Sequence, residues 1–144
     1  MIYGIYGMEC LLLFLAGIED IRKKKIHILT IFAMGVTALL GCMLRQDYGW
    51  YGALGGFLIG ICVIGISIIS GEQIGRGDGM VIAALGILCG VRNTLGIVCF
   101  ASLFMLMPAL VLVICKKGNK KTKLPFLPAL FLGYLVNILL GGMA

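Results

Sequence analysis

Residues 51–70 read YGALGGFLIGICVIGISIIS, twenty in a row without a charge. A helix that crosses a bilayer needs about 20 consecutive apolar residues. In lipid only bonding within the segment satisfies backbone N–H and C=O groups, so such a run is a helix. Working outward, further apolar runs occupy 2–18, 28–44, 79–91, 94–115 and 124–142, separated by EDIRKKKIH, RQDYGW, GEQIGRGD, RN and KKGNKKTK. The expected fold is all-α: a polytopic membrane helix bundle of about six transmembrane helices, forming a single membrane-embedded domain over 1–144. The run 79–91 is short for a full span, and a re-entrant segment is the alternative there.

Composition agrees. Of 144 residues, 12% are charged and 61% hydrophobic, and the mean hydropathy is +1.12. An ordinary soluble domain carries about 25% charged residues. The shortage of charge excludes a disordered chain, and the shortage of polar surface excludes a soluble globule. The net charge of +6 does not point to nucleic acid, because the cations sit in short breaks between apolar runs. Arg22, Lys23, Lys24, Lys25, Arg76, Lys116, Lys117, Lys120, Lys121 and Lys123 fall on one side of the expected bundle, and only Arg45 and Arg92 on the other. Basic short loops stay cytoplasmic, which puts both termini outside. These loop cations also suit anionic lipid headgroups as partners.

The six cysteines lie inside apolar runs, and no two form a CxxC pair, so they read as small apolar filler. No metal site and no cofactor is expected. A cleavable signal peptide is not expected either: the start has no basic region, carries Glu9, and lacks an A-x-A-like site. Gly52, Gly56 and Gly60 recur every four residues, as do Gly86 and Gly90, which lets helix backbones approach closely. Pro108 should kink the fifth span.

With so few acids, each one counts. Asp47 and Glu72 fall in loops, where solvation explains them. Glu19 and Asp20 end the first span, and Asp78 begins the fourth within Gly75-Arg76-Gly77-Asp78-Gly79. Two spans separate Asp20 from Asp78, so both lie at the same face. Two carboxyls held close cannot both ionise; one keeps a proton while the other activates water, which suffices for peptide hydrolysis. Glycines around Asp78 allow tight backbone and leave room for an extended substrate strand. Helix capping by Asp78 is the competing explanation.

These residues carry a resemblance. Gly75-Arg76-Gly77-Asp78 resembles the GxGD element of the small prepilin peptidases, which are intramembrane aspartyl proteases. Asp20-Ile21-Arg22, followed by basic residues and Ile26, is similar to their first-aspartate element. Leu124-Pro125-Phe126-Leu127-Pro128 resembles their late Ile-Pro-Phe-x-Pro motif. His27 and Ile28 stand where the family usually has Pro and Asn, and Met80 where many members have Lys. The resemblance implies catalytic Asp20 and Asp78, with Gly75, Gly77, Gly79, Arg22, Pro125 and Pro128 in support. It implies an inner-membrane enzyme of the tight-adherence pilus type that removes the basic leader of a prepilin after a Gly, at the cytoplasmic face. The zinc-binding, methyl-transferring domain of larger members has no counterpart in this sequence. A small ion-coupled transporter, or an assembly subunit whose GxGD only caps a helix, is the alternative. Glu9 lies eleven residues before Asp20, on nearly the same helix face. An outer-surface position is expected for it in preference to a hydrated cavity. His27 is expected at the interface.

Overall fold

The computed structural model describes residues 2–23, 26–44, 49–69, 75–114 and 125–141. They form α1 (Ile2–Lys23), α2 (Ile28–Leu44), α3 (Gly49–Ile69), α4 (Arg76–Ile114) and α5 (Leu127–Leu139). The fold is all-helical, as expected. Two stretches, Trp50–Ile69 and Arg76–Val111, are long and apolar enough to cross a membrane. Lys24, Lys25, Arg45, Asp47, Glu72 and the cations between 116 and 123 lie outside the described residues.

The 39 residues of α4 would make a straight rod of about 58 Å, twice the roughly 30 Å of a hydrocarbon core. The helix does not run straight. Gly90 leaves the helical region at φ 76° and ψ 174°, a conformation open mainly to glycine. The expected break at Arg92-Asn93 therefore falls earlier, and both of those residues are helical. They stay helical because the side chains repair the ladder: Asn93 Nδ2 donates to the Cys89 carbonyl at 3.2 Å and Thr94 Oγ1 to the Gly90 carbonyl at 2.7 Å. Pro108 stands inside the helix, and its backbone does not leave the helical region.

Small residues set the packing. A methyl added to Gly56 would fall on the Gly86 backbone, one added to Gly60 on the Ala83 backbone, and one on Gly79 would lie 2.5 Å from Ile64 Cγ1. Thus α3 runs antiparallel to the first part of α4, backbone against backbone. Gly90, expected on the same face as Gly86, makes the break in α4. The later part of α4 takes α5 in the same way, with Gly133 seated on the Ile97 carbonyl. α1 packs on α2 and α5, and both of these pack on α4. The core between them includes Leu13, Ala16, Met34, Leu85, Leu130 and Tyr134. The outward faces are apolar, with Phe32, Tyr51, Leu58, Leu103 and Met107 exposed, a surface suited to lipid rather than water. α5 is shorter than the apolar run 124–142, because prolines at 125 and 128 place its start at Leu127.

Candidate active site

Asp20 lies in the last turn of α1, two residues beyond the apolar run 2–18. It is 9% exposed. Its Oδ2 accepts the backbone N–H of Leu127 at 3.3 Å, and the neighbouring Phe126 N–H acts on the same carboxylate. Leu127 is the first residue of α5 and Phe126 its N-cap. The first N–H groups of a helix have no partner within it, so an acid from α1 supplies the acceptor. Burial pushes the Asp20 carboxyl above the usual carboxylate range, and the two N–H groups pull it back down.

Asp78 lies in the first turn of α4 and is 7% exposed. Its N–H donates to the Gly75 carbonyl at 3.1 Å, and its carboxylate accepts the Gly75 N–H. The acid thus supplies one half of a capping box, reaching back from three residues inside the helix, while the Gly75 carbonyl takes the place of the N-cap side chain. The charge of Asp20 acts on Asp78. Two buried acids from helices 58 residues apart in the chain thus come within electrostatic reach at one end of the bundle.

The glycines of GRGDG are filled from within the chain. A Cβ at Gly75 would sit 3.1 Å from the Asp78 carboxylate oxygen, and one at Gly77 2.7 Å from Ile26 Cδ1. Gly79 receives Ile64 of α3. The expected role in leaving room for a substrate strand is therefore corrected. Their missing side chains let the Asp78 turn close on itself, on the segment after α1 and on α3. Pro128 backs onto Gly17 of α1, 3.7 Å from where a Cβ would be, which brings the start of α5 under Asp20. Pro125 is half-buried, while Arg22 is exposed.

Glu19 takes a different direction from Asp20. Its Oε2 accepts the His27 N–H at 3.3 Å and the Thr30 hydroxyl at 3.4 Å, tying the end of α1 to the start of α2. His27 is exposed, and its Nε2 lies 3.3 Å from Lys23 Nζ. The outer-surface position expected for Glu9 is wrong. Glu9 is fully buried in the bundle, bonded to Thr37 of α2. Thr37 offers a partner inside, where lipid offers none outside. Sequence reading missed Thr37, and it missed the Phe126 and Leu127 N–H groups. The Pro125-x-x-Pro128 spacing was the available signal for the latter.

A model of the type IV leader peptidase family matches residues 8–111, a stretch that carries both Asp20 and Asp78. The chain belongs to the type IV leader peptidase family. No curated protein and no solved structure matches it. Membership makes the chain a peptidase of the prepilin leader type in general, and with the two apolar helices it makes it a membrane protein. The family match ends before α5, yet α5 supplies the donors to Asp20.

Proposed function

We propose that this peptidase is a membrane aspartyl endopeptidase that removes the short basic leader of type IV-like prepilins, with Asp20 and Asp78 as its catalytic pair. The observation that carries this reading is the meeting of two buried acids at one bundle end, Asp20 within electrostatic reach of Asp78. One ionised carboxylate takes a proton from water, and the water oxygen attacks the scissile carbonyl. The protonated partner polarises that carbonyl and receives its charge. The chain alone supplies both groups, and no metal is part of the mechanism.

The same reading sets the enzyme in the bacterial inner membrane as a single domain over 1–144. In this reading α4, divided at Gly90, counts as two of six spans, and the charge pattern favours the Asp pair at the cytoplasmic face with both termini outside. Anionic lipid headgroups are the partners of the loop cations. Capping alone does not account for Asp78, since a cap needs no second buried acid beside it. The test is co-expression with a candidate prepilin from the same genome, scored for leader removal by gel shift. A prepilin that keeps its leader beside the accumulated parent enzyme, across all candidate pilins, refutes the reading.

A further inference from the structure

The two acids are not held alike. Asp78 accepts one backbone N–H, that of Gly75 in its own turn. Asp20 accepts the Leu127 N–H across the bundle at 3.3 Å, with the neighbouring Phe126 N–H acting on the same carboxylate. Asp78 starts its own helix α4, whereas Asp20 ends α1 and meets the start of α5, so helix dipoles do not single out Asp20 as the anion, and the donors that reach it across the bundle do. The sequence around α5 sharpens this. Pro125 and Pro128 have no N–H, so the segment 125–128 offers two donors and both act on Asp20. Phe126 already has helical backbone angles, φ −86° and ψ −30°, which turns both N–H groups to the same side. Hydrogen bonds to the charged form of an acid favour that form.

We propose that the N–H pair between Pro125 and Pro128 holds Asp20 as the ionised member, so that Asp20 is the base toward water and Asp78 the proton donor. This rests on the peptidase reading above and assigns the roles within it. The proton count closes. Asp20 takes a proton from water as the oxygen bonds the scissile carbon, and Asp78 gives its proton to the carbonyl oxygen. As the C–N bond breaks, the leaving nitrogen takes the proton from Asp20 and Asp78 regains one from the intermediate's hydroxyl. An acid and an amine leave, and the pair returns to its starting state. Phe126 and Leu127 are positioning residues.

The charged and titratable groups near Asp20 do not substitute for this clamp. On α1, Glu19 is engaged with His27 and Thr30, and Arg22 and Lys23 are exposed. On the α2 side, His27 is exposed and lies against Lys23. On α4, Asp78 lies within electrostatic reach of Asp20, and Arg76 is exposed with its own interaction. The described part of α5 brings only Tyr134, which bonds Tyr6 deeper in the bundle.

The test replaces single backbone N–H groups by ester oxygens, using α-hydroxy acids incorporated by nonsense suppression into the full chain. An ester at 127 removes one donor to Asp20 and weakens the Phe126 carbonyl as an acceptor. An ester at 130 is the matched control, because Leu130 N–H donates to that same carbonyl at 3.0 Å and does not touch Asp20. The readout is kcat/KM for prepilin cleavage against pH, whose acid limb reports the group that must be ionised in the free enzyme. Losing a bond to the anion raises the pKa of that acid, so the 127 ester should move the acid limb up by about 1 pH unit. The 130 ester should leave it in place. A 127 ester whose alkaline limb moves instead makes Asp20 the proton donor and overturns the assignment. So do an unmoved profile and an equal shift in both esters. If the 127 ester does not accumulate, the ester at 126 carries the same expectation. Parent cleavage that survives Asp20→Asn sinks the peptidase reading itself, and the role assignment with it.

Discussion

Exchanging Asp78 for Asn separates a catalytic acid from a capping one, because the structure allows the two effects to be sized. In the parent, the Asp78 carboxylate accepts the Gly75 N–H, and the Asn side-chain oxygen accepts it equally well. Because Asp78 is the member that holds its proton, the exchange removes little charge from the helix start, at most about 0.3–1 kcal/mol. Removing a buried carboxyl beside Asp20 works in the opposite direction, so net stability should change by less than about 1 kcal/mol. Activity should behave otherwise. An amide neither accepts the water's proton nor cycles between protonation states, and loss of one member of such a unit costs on the order of 10⁴-fold or more, about 5 kcal/mol of barrier. Asp20→Asn should do the same. The double variant should be scarcely worse than either single one, because the pair acts as a unit. Gel-shift scoring of leader removal gives the first quantity, and thermal unfolding of the purified membrane protein gives the second. Glu19→Gln is the control: its carbonyl oxygen still accepts from His27 and Thr30, and substantial activity should remain. Cleavage within tenfold of the parent by either Asp variant refutes the reasoning, as does a dead Glu19→Gln beside an active Asp20→Asn.

Three further expectations follow from the packing, the charge pattern and the donor set. Gly56→Ala puts a methyl into the Gly86 backbone, whereas Gly65→Ala meets nothing within 4 Å. The first should cost about 1–3 kcal/mol of stability and the second should gain up to about 1 kcal/mol; equal unfolding temperatures would show that the α3–α4 contact is not this close. A reporter fused after Lys121 should be cytoplasmic and one at Asp47 or after Ala144 external, and a cytoplasmic C-terminus would mean an odd number of spans. Chelator treatment should leave cleavage unchanged, since two carboxyls and water suffice; loss that a divalent ion restores would make the aspartates metal ligands.

The fold was legible where one physical constraint dominates. Uncharged runs of about 20 residues have few alternatives to a helix, and the run 28–44 coincides with α2. The helix break was less legible. Arg92-Asn93 is polar and looks like a loop, but polarity does not end a helix when Asn93 and Thr94 bond the carbonyls one turn back. Gly90 ends it by conformation, and sixteen other glycines in membrane-facing runs look the same in one dimension. For the proposed site, the motifs drew attention to Asp20 and Asp78, since acids at the ends of apolar runs are rare. Glu9 was misread because burial is set by its partner, and Thr37 stands on another helix, 28 residues away. The donors to Asp20 are backbone groups 107 residues distant, and backbone groups leave no letter in a sequence. Only the prolines beside them do.

The three buried acids differ in a way that favours the proposed pair at the end of the bundle. Glu9, Asp20 and Asp78 are all nearly excluded from solvent, so burial does not distinguish them. Their surroundings do. Glu9 is in the middle of α1, where every neighbouring N–H is already committed to its own helix. It finds one hydroxyl, Thr37, and among the described residues its second oxygen has no partner. Asp20 and Asp78 stand where α5 and α4 begin, and helix starts are the places in a membrane bundle with N–H groups to spare. A carboxylate there can be buried and still be held as an anion. A catalytic base must ionise within the enzyme, so the two positions beside helix starts suit hydrolysis and the mid-helix position does not.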